Sequence, residues 1–450
     1  MKRKIYSRLL EWKQKYARHE ALMIDGARRV GKSWIVEEFA KNEYKSFILV
    51  NFAQMSDEVK DIFEHYLSDV DAFLMRLQLW SGITLHKHKS LIVFDEVQRY
   101  PKAREAIKWL VADGRYDYIE TGSLVSIRKN TEGITIPSEE CHVNMWPMDF
   151  EEFMWAMGED MLMSFIRECY EKHQPLGQAL HRKALDLLRL YLIVGGMPQA
   201  VDKYVQTKDF TAVDHIKRNI LDLYRNDIYQ YAGGNASKVL RIWDAVPSQL
   251  QRHEKRFRIS SLQKGARTRD YSDAFFWLSE ARVVNTCFAA TEPSIGLKLN
   301  KDEAKYKLYL GDTGLLISHA FDEAAIIGEE LYKKLMLGKL EFNSGMLTEN
   351  LISQMLMASG HQLYFYTKVN REKSEENMEI DFLVRKPIVT SKHNICAIEV
   401  KSTQRYTTSS LVKFKHKFGN YLHSSVVLHS GDVKTEDGVV YLPLYMGGLM

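Results

Sequence analysis

The chain has 450 residues, enough for three or four domains, and its apolar fraction of 45% is that of an ordinary globular protein. A net charge of only +4 excludes a globally basic nucleic-acid binder, so any basic surface has to be local. Four scattered cysteines without a C-x-x-C pair exclude a disulfide framework and structural zinc, and they fit a reduced, cytoplasmic protein. No run reaches the roughly 18 apolar residues of a bilayer span, and none follows the basic start Met1-Lys2-Arg3-Lys4. No membrane partner and no signal peptide are therefore expected.

In chain order, residues 5–18 predict a lead-in helix, with Ile5, Leu9, Trp12 and Tyr16 on one face. A short apolar strand follows over 21–25. Then comes Gly26-Ala27-Arg28-Arg29-Val30-Gly31-Lys32-Ser33, the phosphate-binding pattern G-x-x-x-x-G-K-S, with a helix opening at Trp34. The glycines let backbone N–H groups curl around phosphates at the positive end of the helix. In this reading Gly26 through Trp34 contact ATP, Lys32 reaches the β- and γ-phosphates, and the Ser33 hydroxyl sits on Mg²⁺. Further strands are expected at 46–52, 91–95 and 116–121, alternating with helices, so the sheet should be largely parallel. The region 57–80 reads as one helix.

The run Leu91-Ile92-Val93-Phe94-Asp95-Glu96 is a buried strand ending in two acids, the Walker B pattern. Asp95 is expected to hold Mg²⁺ through water, and Glu96 to polarise the attacking water. After the strand Tyr116 to Glu120, Thr121, ahead of Ser123, could sense the γ-phosphate; an ordinary strand exit is the alternative. Residues 128–140 read as a loop. Residues 150–231 read as helical throughout, broken at the turn Gly195-Gly196-Met197-Pro198.

The segment 236–292 is the expected DNA-facing part. A short helix over 259–266, a turn at 267–270 and a second helix over 271–284 have the spacing of a winged helix-turn-helix. Between Arg252 and Arg269 lie seven basic residues (Arg252, Lys255, Arg256, Arg258, Lys264, Arg267, Arg269) and one acid, Glu254. The alternative is a solvated basic face that braces the ATPase. Asn300-Lys301-Asp302-Glu303 is close to the guanine-reading motif N-K-x-D, but its fourth residue is Glu and it lies far from the phosphate loop, so the nucleotide is read as ATP.

Near the end, Asp381 precedes the strand Phe382-Leu383-Val384, and Glu399 and Lys401 share one face of the strand Cys396 to Lys401. Asp…Glu-x-Lys is the pattern of the restriction-endonuclease-like PD-(D/E)xK fold. There Asp381 and Glu399 would hold Mg²⁺ and Lys401 would steady the attacking water. Glu349 on an upstream helix is a fourth member. The alternative is an exposed strand face bearing an ion pair.

Several motifs in order resemble a family of bacterial and archaeal AAA-class ATPases with a C-terminal domain of unknown function. They are the arginine-bearing phosphate loop, Phe94-Asp95-Glu96-Val97-Gln98, Thr121-Gly122-Ser123, Trp146-Pro147-Met148-Asp149-Phe150, Gly195-Gly196-Met197-Pro198-Gln199 and Leu310-Gly311-Asp312-Thr313-Gly314-Leu315. The resemblance implies an α/β P-loop NTPase core with a parallel sheet (1–150), a helical lid (151–235), a winged-helix-like module (236–330) and a restriction-endonuclease-like α/β domain (331–450). It implies ATP and Mg²⁺ as cofactors and, as AAA relatives often form rings, a homo-oligomer or a protein partner, with a monomer or dimer as the alternative. The basic cluster points to nucleic acid as a partner, with DNA favoured. One departure is that the family's Gly-Arg before the closing motif is here Ser138-Glu139-Glu140-Cys141. Arg99, Arg115 and Arg128 are candidates for an arginine that would complete a neighbouring ATP site.

Overall fold

The computed structural model describes residues 1–123, 137–252, 256–294, 296–321, 330, 332, 334, 344–370, 372–386, 394–403 and 405–450. Arg128, Glu254, Lys255 and most of the expected loop 128–140 lie outside the described residues. The chain divides into two compact units, Met1–Trp146 and Pro147–Met450. The expected divisions at 235 and 330 both fall inside the second unit.

In the first unit five strands form one sheet: β1 (Ala21–Asp25), β2 (Ser46–Asn51), β3 (Ser90–Asp95), β4 (Asp117–Gly122) and β5 (Glu140–Asn144). Their order is β2-β3-β4-β1-β5, and every pairing is parallel. β1, β3 and β4 are buried along their whole length, as strands covered on both faces must be. Because β4 lies between β1 and β3, the phosphate loop, Thr121 and the Asp95-Glu96 pair come together at one edge of the sheet.

The helix expected over 57–80 is two, Asp57–His65 and Val70–Ser81. Asp69 separates them: its carboxylate accepts from the N–H groups of Asp71 and Ala72 and so starts a new helix. β5 was not expected, because its run Glu140-Cys141-His142-Val143-Asn144 has no apolar alternation.

In the second unit residues 150–231 are five helices, Phe150–Ala156, Asp160–Lys172, Gln178–Val194, Pro198–Thr207 and Phe210–Tyr231. An eight-stranded sheet follows, made of β6 (Val284–Ala290), β7 (Lys301–Leu310), β8 (Tyr364–Lys368), β9 (Met378–Arg385), β10 (Ile395–Val400), β11 (Leu422–His429), β12 (Lys434–Glu436) and β13 (Val439–Pro443). Its order is β12-β13-β11-β10-β9-β8-β6-β7. The β6–β7 hairpin joins through a parallel pairing of β6 with β8, so the sheet runs across the expected boundary at 330. From 344 to 429 the element order is helix Ser344–Ala358, β8, β9, β10, helix Ser409–Phe418, β11. β8, β9 and β10 are antiparallel neighbours, and β11 lies parallel to β10.

The expected helix 259–266 is only a 3₁₀ turn, Ile259–Ser261, and the second helix is Ser272–Glu280. The backbone competes there: the Phe257 N–H donates to Tyr306 O of β7 (2.8 Å), and the Gln249 side chain accepts from the Arg258 N–H (3.2 Å).

A buried polar knot ties the helices of this unit to its sheet. Asp312 Oδ2 accepts from the Gly196 N–H (2.5 Å) and from Gln354 Nε2 (3.2 Å), and Gln354 also donates to the Tyr191 hydroxyl (2.9 Å). A Cβ on Gly196 would lie 2.1 Å from the Met148 carbonyl oxygen, which is why the Gly-Gly turn tolerates no side chain there. Among the described residues no helix is long and apolar enough to cross a membrane.

Candidate nucleotide site and C-terminal acidic cluster

The phosphate loop leaves β1 at Asp25 and ends in the helix Lys32–Glu43. Two residues take left-handed backbone to make the bend, Arg29 (φ 70) and Gly31 (φ 98). Gly26 is fixed by close approach, since a Cβ there would lie 2.2 Å from the Met145 carbonyl oxygen. Arg3, near the chain start, holds the loop from beneath: its buried guanidinium donates to Val30 O (2.8 Å) and to Trp146 O (2.7 Å). Nothing in the sequence singled Arg3 out. Arg29 and Trp34 are exposed and Arg28 is half-buried.

Lys32 is 5% exposed, and its Nζ donates to the carbonyls of Gly26 and Ala27, each at 3.0 Å. Burial pulls its pKa below the usual lysine value, against the opposing charges of Glu96, Asp95 and Asp25. Asp95 gathers three donors. Ser33 Oγ (2.8 Å) and Thr121 Oγ1 donate to Oδ1, and Asn51 Nδ2 donates to Oδ2 (3.1 Å). Burial still holds its pKa above the ordinary aspartate value, with the bonds from Thr121 and Ser33 opposing. Because Ser33 spends its hydroxyl proton on Asp95, its oxygen lone pairs stay available to a cation.

Glu96 sits at φ 59, an uncommon conformation outside glycine. Its N–H points to Thr121 Oγ1 (3.4 Å), and its carboxylate accepts from Gln98 Nε2. Thr121 thus touches both acids of the Walker B pair. Asn51 and Gln98 are further members of the site. Gln98 stood in the motif without a role, and Asn51 ends its strand in register with Asp95.

A charged network joins β5 to the helix Lys102–Asp113. Arg104 donates to both oxygens of Glu140 (2.7 and 2.9 Å), and His142 Nε2 lies 3.0 Å from Glu140 Oε1. The nearby carboxylates of Asp25 (3.8 Å) and Glu140 push His142 up to about 9. Burial and the charge of Glu140 push the fully buried Glu120 well up. Glu140, in the segment where the related family carries Gly-Arg, is thus a buried partner of Arg104. Arg115 is engaged by Asp113 and Asp71, each at 2.7 Å. Arg99 is exposed.

In the second unit the expected tetrad separates into two ion-pair sets. Asp381 Oδ2 accepts from the Val400 N–H (2.8 Å). Burial, then the charge of Glu349, raises Asp381 to about 7, with Lys307 opposing. Lys307, from β7, is 1% exposed; its Nζ lies 2.8 Å from Glu379 and 3.9 Å from both Glu349 and Asp381. The Tyr309 hydroxyl donates to Glu349 (2.9 Å). Glu399 accepts from Lys401 Nζ (2.9 Å) through Oε1, while its buried Oε2 has no hydrogen bond among the described residues. Burial raises the Glu399 pKa. Among the described residues no group of three His, Cys, Asp or Glu side chains is arranged to hold a metal ion.

Comparison with known proteins bears on the part of the chain that carries the first of these sites. Residues 18–154 match the family model described as an AAA domain. This part of the chain matches an AAA-type P-loop ATPase domain, a kind of domain that implies nucleotide binding. Residues 185–324 and 344–446 match two domains of unknown function (DUF8612 and DUF4143). Among solved structures, a Walker-type ATPase of Pyrococcus abyssi is similar over 71% of this chain and 95% of its own, at 15% identity and a TM-score of 0.40. Cdc6p from Pyrobaculum aerophilum is similar over 75% of this chain and 94% of its own, at 13% identity and a TM-score of 0.27. No curated protein sequence matches the chain.

Proposed function

We propose that the protein hydrolyses ATP and uses its nucleotide state to control nucleic-acid binding by residues 147–450, with DNA the favoured partner. The observation that carries the ATPase half is the meeting of Lys32, Ser33, Asp95, Glu96 and Thr121 at one edge of a parallel sheet. Lys32 exchanges its two carbonyl partners for phosphate oxygens. Ser33 and Asp95 would hold Mg²⁺, which neutralises charge on the β- and γ-phosphates when bound. Glu96 orients the attacking water, and Thr121 links the acids to the γ-phosphate position.

For the rest of the chain, 151–235 is read as a helical lid, 236–330 as a winged-helix-like module and 331–450 as a restriction-endonuclease-like domain. The α-β-β-β-α-β order from Ser344 to His429 supports the last of these, with Asp381 and the Glu399-x-Lys401 pair on neighbouring strands. Exposed Arg258, Lys264, Arg267 and Arg269 support phosphate contact. Because the helix at 259–266 is absent, contact with the backbone is favoured over base reading.

A second reading, a slow ATP switch that exposes a partner surface, is favoured by one observation. The segment of the expected trans-acting arginine holds Glu140, and Arg115 is already paired. ATP binding and turnover by wild type, Lys32→Ala and Glu96→Gln, each with and without DNA, test both readings. Lys32→Ala should lose binding, and Glu96→Gln should bind without turning over. Equal turnover in all three sinks the ATPase reading. Tight binding with negligible turnover, unmoved by DNA, selects the switch.

A further inference from the structure

A magnesium-dependent nuclease needs carboxylates that a divalent ion can reach and that no other cation has claimed. Here the carboxylates of Glu349, Glu379 and Asp381 surround an ammonium. Lys307 reaches them from β7, which lies outside the α-β-β-β-α-β core and enters the same sheet through β6 and β8. Its Nζ is 2.8 Å from Glu379 and 3.9 Å from Glu349 and from Asp381, with 1% of the side chain exposed. The ring of Phe365 lies 5.0 Å from the same nitrogen and screens it further. Glu349 and Asp381 each also accept a hydrogen bond. Tyr309 donates to Glu349, and the Val400 N–H donates to Asp381.

We infer that Lys307 is the built-in cation of this acidic cluster, and that it takes the place a divalent ion would hold between Glu349 and Asp381. The inference rests on reading residues 344–450 as a nuclease-like fold, and it says that this fold does not load Mg²⁺ in the native chain. Lys307 places a positive charge beside Glu349 and Asp381 without a metal ion. Burial alone would lower the lysine pKa, but the charges of Glu349, Glu379 and Asp381 outweigh it and keep the amine protonated. Glu399 has its own cation in Lys401. On this reading the domain does not cut nucleic acid by a metal-dependent route.

The test is Mn²⁺ titration calorimetry without nucleotide on the full chain, comparing wild type, Asp381→Ala, Glu399→Gln and Lys307→Met. Wild type should show no Mn²⁺ site that Asp381→Ala or Glu399→Gln removes. Lys307→Met should gain one at least tenfold tighter than any wild-type binding, and the double variant Lys307→Met/Asp381→Ala should lose it. If Lys307→Met does not fold alone, recovery of folded protein on refolding with Mn²⁺ supports the inference, and failure with Mn²⁺ contradicts it. An Asp381- or Glu399-dependent site in wild type overturns it, as does a folded Lys307→Met that gains nothing. A chain that behaves as expected in Lys32→Ala and Glu96→Gln, yet binds Mn²⁺ through Asp381, keeps the ATPase reading and loses only this one.

Discussion

Two buried lysines set the two units apart. Lys32 donates to carbonyl oxygens of its own loop, and burial lowers its pKa. Lys307 donates to a carboxylate beside two more, and its pKa is raised. Both are nearly without solvent contact. A buried ammonium held by neutral acceptors still has its charge to give, so an arriving phosphate improves its surroundings. One held by carboxylates is already compensated, and bringing a metal ion beside it sets like charges together in a medium of low dielectric. The first lysine is a receptor for an anion, and the second is a permanent counter-ion.

The largest effects should come from removing the two cations. Lys32→Ala should abolish measurable ATP binding and cut turnover by at least about 100-fold, whereas Glu96→Gln should lose turnover with binding intact. Turnover that survives Lys32→Ala would remove the receptor side of the contrast. Lys307→Met should leave ATP binding alone and destabilise the second unit by about 3–5 kcal/mol, the usual cost of leaving buried charges uncompensated. The check is urea unfolding followed in parallel with ATP affinity. A variant as stable as wild type would mean that the carboxylates do not need the lysine.

Thr121→Val keeps the shape and deletes the donor shared by Asp95 and Glu96. Turnover should fall about tenfold, with ATP affinity changing less, as expected for one lost hydrogen bond near the chemistry. Steady-state kinetics with a separate binding assay would separate the two.

The smallest effect concerns His142. Its pKa is raised from 6.5 to about 9 in the folded chain, so its contribution is fully present below about 6.5 and is lost as pH rises through 9. The imidazole is half-exposed, so after solvent screening the contribution is under about 1 kcal/mol. His142→Gln should therefore lower Tm more at pH 6 than at pH 9.5. A gap that widens with pH would reverse the assignment.

The nucleotide site was legible because its parts are short and contiguous. Gly26 to Ser33, Asp95-Glu96 and Thr121 each follow an apolar strand, and the strand order brings them to one edge. Partners that come from elsewhere were not legible. Arg3 reaches Val30 from the chain start, and Asn51 reaches Asp95 from the end of β2. β5 was missed because Glu140 and His142 sit where apolar residues were sought. The Asp69 cap was visible between the two helices read as one. The helix at 259–266 failed because local pattern could not foresee that Phe257 is bonded to β7. Lys307 had one signal that went unused. It stands in Tyr306-Lys307-Leu308-Tyr309-Leu310, a run buried throughout, where a lysine has to find carboxylates. Those carboxylates lie in two distant segments, the helix of Glu349 and the strand of Glu379 and Asp381, and only the tertiary fold brings them to the lysine.

The contrast is tested most directly by counting bound Mn²⁺ by electron paramagnetic resonance in wild type, Lys32→Ala and Asp381→Ala, each with and without ATP. The account predicts one Mn²⁺ per chain, bound only with ATP, absent in Lys32→Ala and retained in Asp381→Ala. A Mn²⁺ that binds without nucleotide and disappears in Asp381→Ala would contradict it.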